Sequence, residues 1–339
     1  MRSSSARPLA VILHSEVSAD AAADEQDTLV QRETVSKALA ALGYSVTTLP
    51  FARNPTEVTT RLPRLAPALV FNLVESVAGS GRLIHLAPTL LEALGLRYTG
   101  CTGQALLLTS HKLLAKRLMR EAGIPTPSWI EPSSLAGKSV IPTGPFIIKS
   151  VWEHASFGLD AEAVVPTAEQ AAVRLAQRAE RFGGQWFAER FISGREFNIA
   201  MLAANTGPEV LPIAEMTFID FPKNRPRIVD YAAKWAPQSF AYQHTRRCFP
   251  ETEIHRDLLA HLASLALRCW HAFGLNGYAR VDIRVDDRHR PWVLEINANP
   301  CLSPDGGFAA SAARRELSLT DTIARILDDC PAGLPGTVT

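Results

Sequence analysis

The sequence predicts a mixed α/β and α+β protein: an N-terminal parallel α/β domain over about 1–105, a small central domain over 106–188 and a C-terminal domain over 189–330. Three observations carry that reading. Apolar runs at 9–13 (LAVIL) and 68–74 (ALVFNLV) alternate with segments of helical periodicity, the pattern of a parallel sheet. A strand, a turn of small residues and an Ala-rich helix follow between 146 and 182. The last half carries closely spaced strands interrupted by a long polar segment at 219–243, and segments of that length in a compact protein are usually functional lids or disordered. At ~150 residues per domain, 339 residues accommodate two domains or three small ones.

LAVIL reads as a buried strand. A helix starts at Asp24, a good N-cap with an acidic first turn, and stops before Gly43, with Leu29, Val35, Leu39 and Leu42 at helical spacing. SVTTL (45–49) and ALVFNLV supply two more strands, and a helix runs from about Arg82 to Leu94. Residues 109–122 form an amphipathic helix capped by Thr109 or Ser110; IPTPSW (124–129) leaves it extended, since a residue before proline avoids the helical region. The stretch 131–145, rich in Pro, Ser and Gly, is a loop, FIIKS (146–150) a strand, HASFG (154–158) a turn and 167–182 a helix. Strands at 185–192, 196–203 and 210–216 precede the polar segment. A helix at 252–273, strands at 278–285 and 291–297, and a helix at 319–328 complete the chain, which has no internal repeats.

Hydrophobic residues are 47% and charged residues 20%, within the globular range. Lys plus Arg is 35 against 34 Asp plus Glu, so no global basic field exists to hold nucleic acid or an anionic membrane, and phosphate recognition must be local. The five cysteines are odd in number and contain no CxxC pair, which argues against a disulfide framework or a structural zinc site. The apolar run near the N-terminus is too short for a signal-peptide core, and no window approaches a membrane span. A cytoplasmic setting with no nucleic-acid or membrane partner is expected.

Chemistry concentrates in a few places. On YARVDIRV, Arg280, Asp282 and Arg284 alternate onto one face, as do Glu295 and Asn297 on WVLEIN. A hairpin of these strands gathers Asp282, Glu295 and Asn297, hard oxygen donors suited to Mg²⁺ or Mn²⁺; a surface hairpin with cross-strand ion pairs is the competing reading. Lys149 ends an apolar strand just before the small-residue turn, where it can reach a phosphate under exposed backbone amides. Lys112 lies in the first turn of a helix, where the macrodipole disfavours a cation unless an anion is near, and Lys234 lies in the long polar segment. Each alone reads as a solvated lysine. Glu189 and Glu196 bracket ERFISGREF, placed to accept from ribose hydroxyls beside an apolar bed of Phe191 and Ile192, unless this is an exposed hairpin turning at Gly194.

Taken in order, these segments resemble the ATP-grasp superfamily, and within it the D-alanine–D-alanine ligases, over about residues 109–329. SHKLLAKRLMREAGIPTPSW (110–129), IIKSVWEHASFG (147–158), ERFISGREFNIAML (189–202), VDYAAKW (229–235), YARVDIRV and VLEINANP each match a segment of that family. The resemblance implies an ATP-grasp fold and ATP as cofactor, bound by Lys112, Lys149, Lys234, Glu189, Phe191, Ile192 and Glu196. It makes 153–158 the phosphate-covering loop, with Glu153, Ala155 and Ser156, and 219–243 a mobile lid. Asp282, Glu295 and Asn297 become ligands of two Mg²⁺ (or Mn²⁺), and Arg280, Lys234 and Ser156 the catalytic groups. The implied reaction activates a carboxylate as an acyl phosphate and joins it to an amine of a small amino-acid-like substrate. An ATP-dependent phosphotransferase using the same cleft is the alternative, and a homodimer is left open.

The departures from the family pattern all fall in the amino-acid pockets. A glycine-rich entry with an early glutamate is absent, and NLVESVAGSGR (72–82) replaces a histidine-containing segment. Trp235 stands where a tyrosine would hydrogen-bond the loop serine; an indole cannot accept. Cys301 replaces a glycine, and SPDGGF (303–308) lacks the Ser-Leu pair that clamps the second substrate's carboxylate. Glu75, at the carboxyl end of a strand, is a candidate for a substrate ammonium, Ser156 for a substrate carboxylate and Asp305 for a cationic group. His244, Arg246 and Arg247 form a local basic cluster, ordinarily a solvated face.

Overall fold

The computed structural model describes residues 7–131 and 143–330. Most of the expected loop at 131–145 lies outside the described residues. Strands β1 (Leu9–Ser15), β2 (Ser45–Phe51) and β3 (Leu69–Leu73) form a parallel sheet in the order β2-β1-β3. Alternation sends Ala10 and Ile12 to one face, under α1 (Ala23–Ala41) and α11 (Leu319–Asp328). Val11 and Leu13 face α2 (Thr56–Leu65) and α3 (Leu86–Ala93). Covered on both sides, the central strand must be apolar throughout, which is why LAVIL shows no alternation.

Antiparallel strands β4 (Trp129–Ile130), β5 (Phe146–Ser150), β6 (Val164–Val165) and β7 (Trp186–Arg190) make a second sheet, ordered β4-β7-β5-β6 and backed by α6 (Ala168–Phe182). The third sheet holds β8 (Arg195–Leu202), β10 (Ala214–Phe218), β11 (Thr245–Cys248), β12 (Tyr278–Val285) and β13 (Pro291–Asn297), ordered β11-β10-β8-β12-β13, with β9 (Glu209–Val210) added to β8. Helix α9 (Arg256–Phe273) covers it, together with α4 (Gly103–Ser110) and α5 (Lys112–Glu121).

Several expectations change. The 109–122 helix belongs to two helices: Thr109 and Ser110 are buried at the end of α4, and the cap of α5 is His111, whose Nδ1 accepts from the Leu114 amide at 3.2 Å. The segment 82–94 splits into a 3₁₀ turn (Gly81–Leu83) and α3. Helix α2 was not foreseen, because TEVTTRLPRL is β-branched and contains Pro63; burial of Val58 and Leu62 overrides that propensity. The expected strand at 210–216 is the pair β9 and β10, the expected helix at 252 begins at Arg256, and β11 and α10 (Gly307–Arg314) are additional. The 219–243 segment contains two short helices, α7 (Tyr231–Trp235) and α8 (Phe240–His244).

One correction concerns function. Segments 185–192 and 196–203 are not neighbours in one sheet: β7 closes the central sheet and β8 opens the C-terminal one. ERFISGREF is therefore a crossover between sheets, not an exposed hairpin. Gly194 makes it at φ 129°, where a Cβ would overlap the Val285 carbonyl oxygen.

Candidate active site

Strand register builds the site's floor. Pairing of β12 with β13 sets Asp282 opposite Glu295 and Arg280 opposite Asn297; pairing with β8 sets Asp282 opposite Asn198 and Arg284 opposite Glu196. All these side chains share one face of the sheet. Arg280 Nε and Nη2 donate to the two Asp282 oxygens at 2.8 and 2.9 Å, and Asn198 and Asn297 add amide donors at 2.8 and 3.3 Å. Burial pushes the Asp282 carboxyl above its ordinary value, with Arg280 opposing. Glu295, half-buried, behaves oppositely: it is held far below the usual carboxylate range by Lys112, His154, Lys149 and Lys234.

Three of the four cations come from distant parts of the chain. Lys112 is the first residue of α5 and is buried; its Nζ donates to the Glu153 carbonyl at 2.6 Å and lies 4.0 Å from Glu295. Lys234 comes from α7, and burial and then Arg280 lower its pKa against the pull of Glu295 and Asp282. Lys149, on β5, is half-buried, and Glu189 and Glu295 outweigh the desolvation and raise it. Four positive groups thus converge on two carboxylates.

Glu189 is the shared counter-ion of two lysines. It is 1% exposed, and its two carboxylate oxygens meet Lys149 at 3.0 Å and Lys116 at 2.5 Å. Lys116 also donates to Thr126 Oγ1 (2.7 Å) and the Pro127 carbonyl (3.3 Å), and burial lowers it to about 8. Glu196 accepts from Arg284 Nε and Nη2 at 3.0 and 2.7 Å. Arg284 further donates to the Ile192 carbonyl (2.8 Å), lies over the Phe191 ring (5.1 Å) and reaches the Arg227 carbonyl, so it ties the crossover to the 219–243 segment.

The small-residue turn carries Ala155 and Ser156 at φ 56° and 62°. Ser156 Oγ donates to the Val229 carbonyl at 2.8 Å, and Trp235 Nε1 donates to the Ala155 carbonyl at 3.3 Å. Trp235 therefore keeps a bond to this turn, as a donor to backbone where an acceptor at the serine had been expected to be lost. Tyr231 OH donates to Asp24 at 3.0 Å, so the 219–243 segment is pinned both to the turn and to α1. Glu153 closes the turn against the first domain, accepting from the Gly81 amide at 2.9 Å.

Beyond Arg280, Gln31 Nε2 donates to Glu75 at 2.7 Å and to Asp27 at 3.2 Å. Burial, with Asp27 and Asp24 nearby, raises Glu75 to about 7. Cys301 Sγ donates to Asp27 at 2.9 Å, and burial holds that thiol protonated, which fits a packing residue better than a nucleophile. Asp305 is exposed, and its carbonyl rather than its carboxylate makes the recorded contact, to Arg247 at 3.3 Å. Sequence reasoning missed Lys116, Asn198, Arg284's role and His154. Their signals were spacing (Lys116 one turn after Lys112, Asn198 two residues after Glu196) and, for His154, its place in the turn. Burial and Lys112 lower His154 to about 4, and its Nε2 has no hydrogen-bond partner among the described residues.

Asp282, Glu295 and Asn297 fit a hard divalent cation. The donors are oxygens only, Glu295 is held ionised, and the Asn297 Oδ1 makes no recorded bond. Among the described residues no cluster of three His, Cys, Asp or Glu forms a metal cage. Two carboxylates and an amide suit Mg²⁺ shared with phosphate oxygens, not an all-protein site.

The family model described as the D-ala D-ala ligase C-terminus matches residues 118–328. A D-alanine–D-alanine ligase of Chromohalobacter salexigens is 31% identical over 79% of each chain. The chain belongs to the D-alanine–D-alanine ligase family. A D-alanine–D-alanine ligase of Moorella thermoacetica is 29% identical over 90% of this chain and 94% of its own. Among solved structures, the D-alanine–D-alanine ligase of Bacillus anthracis superposes with a TM-score of 0.71 at 19% identity, covering 96% of this chain and 97% of that one. The D-Ala:D-Ser ligase VanG of Enterococcus faecalis gives 0.71 at 15% over 95% and 99%. The fold is thus ATP-grasp, and this family member is an ATP-dependent, peptide-forming carboxylate–amine ligase. No helix among the described residues is long and apolar enough to cross a membrane.

Proposed function

We propose that Lys112, Lys149 and Lys234 neutralise the triphosphate of ATP, that Asp282, Glu295 and Asn297 hold Mg²⁺ against it, and that Arg280 stabilises the reacting phosphoryl and acyl oxygens. The observation that carries this is the convergence of three lysines and Arg280 on Glu295 and Asp282. A bound cation there supplies neutralisation of phosphate charge. A carboxylate is a poor electrophile, because its leaving group would be oxide. Its oxygen attacks the γ-phosphorus, ADP departs, and the acyl phosphate now carries phosphate as leaving group. The substrate amine adds to that carbonyl, loses a proton, and phosphate leaves as the amide forms. The protein's share is positioning and charge stabilisation in a site closed to water. Amino-acid substrates of the alanine type fit the family; Glu75, ionised above about pH 7, is the group proposed to meet a substrate ammonium.

The test is ATP-dependent phosphate release over pairs of D- and L-amino acids with Mg²⁺. Release that requires an amine acceptor and yields a dipeptide is expected. A stable phosphorylated product without acceptor would identify a phosphotransferase instead.

Acyl phosphates hydrolyse when water reaches them, so 219–243 acts as a lid held by the Ser156–Val229, Trp235–Ala155 and Tyr231–Asp24 bonds. Limited proteolysis within 219–243 should slow when an ATP analogue and amino acid are both present. Unchanged cutting there would count against a lid.

A further inference from the structure

Glu75 lies two residues past β3, and hydrogen bonds fix its backbone beside the floor of the site. Its amide donates to Ser15 Oγ at 3.0 Å. The preceding Val74 carbonyl accepts from Asn299 Nδ2 at 3.1 Å, and Asn299 Oδ1 accepts from Tyr278 OH at 2.6 Å. Tyr278 and Arg280 share one face of β12, and Asn299 follows Asn297 by two residues. The Glu75 side chain is set by Gln31, which is 1% exposed in the middle of α1. Gln31 Nε2 donates to Glu75 Oε1 at 2.7 Å and to Asp27, one turn back, at 3.2 Å. Gln31 Oε1 accepts from the Leu302 amide at 2.9 Å. Two carboxylates on one side and an N–H on the other leave the amide a single orientation. The two carboxylates are not equivalent. Asp27 Oδ1 accepts from Ser303 Oγ at 2.6 Å, and its Oδ2 from Cys301 Sγ at 2.9 Å as well as from Gln31. Among the described residues the Glu75 carboxylate accepts only from Gln31, through Oε1, so Oε2 is left for a ligand.

We infer that Gln31 is the positioning residue of the ammonium subsite: its amide aims Glu75 at the substrate's amino group and ties that carboxylate to the 301–303 segment. This rests on the reading of Glu75 given above. One open carboxylate oxygen fits a single ammonium. A buried glutamine is retained only where its amide is fully bonded, and here every bond runs to the subsite or its wall. An amide N–H donated to a carboxylate favours the ionised form, which is the form that pairs with an ammonium. Asp27 and Asp24 on α1 oppose that ionisation, and Arg280 on β12 supports it. Tyr278 on β12 and Cys301 after β13 also face Glu75, and burial keeps both protonated. Without the Gln31 bond, Glu75 loses both a restraint on its direction and a group that favours its charge.

The experiment uses the full chain with ATP, Mg²⁺ and an amino-acid pair that releases phosphate, followed across the acid limb of the pH profile. Gln31→Met keeps the side-chain length and loses the amide. It should raise the amino-acid KM about tenfold or more and leave the ATP KM unchanged. It should also move the acid limb of kcat/KM for the amino acid to higher pH by about one unit. Asp27→Asn removes a neighbouring negative charge, so it should move that limb to lower pH. Should Gln31→Met not fold, the isosteric Gln31→Glu replaces it, and its added carboxylate should likewise move the limb to higher pH. With Glu75→Gln impaired, an unaltered amino-acid KM or an unmoved limb in the folded Gln31 variant would overturn the assignment. A limb that moves the same way in the Gln31 and Asp27 variants would reveal general loosening of α1 and overturn it too. An unimpaired Glu75→Gln would instead remove the Glu75 reading, and the role of Gln31 with it. Should no pair release phosphate from the wild type, the ligase reading fails by itself. Gln31 is then judged by ¹³C NMR of the glutamate carboxyl carbons, with Glu75 assigned by its loss in Glu75→Gln. A titration midpoint raised in the Gln31 variant supports the assignment, and an unmoved one overturns it.

Discussion

Arg280→Ala lowers kcat by about 100-fold or more, while ATP binding changes by no more than about threefold. The guanidinium is fixed before any ligand arrives, by two bonds to Asp282 at 2.8 and 2.9 Å, so it meets developing negative charge without reorganising. Preorganised donors of this kind act mainly on the transition state, which puts the loss in kcat. Glu295→Gln should lose a similar factor, because it removes a floor carboxylate whose ionised form the surrounding lysines favour. Steady-state phosphate release, with affinity for a non-hydrolysable ATP analogue, separates the two effects. Near-wild-type turnover in either folded variant would remove Arg280 and Glu295 from the reaction.

The largest effect on stability is expected at Glu189. Replacing it with alanine strands Lys116, 1% exposed, and Lys149 without their shared counter-ion. Breaking a buried pair from one side costs about 3–5 kcal/mol, a drop in Tm of roughly 5–15 °C. Adding Lys116→Met should recover part of the loss, since it removes one of the uncompensated charges. Urea unfolding monitored by circular dichroism measures both variants. A Glu189→Ala protein within about 1 kcal/mol of wild type would mean that water or rearrangement supplies what the carboxylate does.

How much was legible in the sequence varies with the range of the interaction. Strand alternation on YARVDIRV and WVLEIN placed Arg280, Asp282, Glu295 and Asn297 on one face, and the observed register brings them together as expected. Alternation is local, fixed by the backbone at each residue. The separation of 185–192 from 196–203 is not legible, because the short link at Gly194 reads as a hairpin turn, whereas β7 and β8 belong to different sheets. Trp235 was judged by what its ring cannot accept; the bond that forms uses its donor on a backbone carbonyl, which side-chain chemistry does not reveal. Helix α2 escaped because its propensity is poor and its stability comes from burial against β1 and β2.

The sequence by itself determined the class of chemistry, through the order of six short segments and the residue types within them. Folding decided which charge answers which. Glu189 pairs with two lysines, and Arg284 joins the crossover to the 219–243 segment. The physical reason is that a charge's effect depends on its distance and burial, and both are set by the packing of sheets formed from opposite ends of the chain.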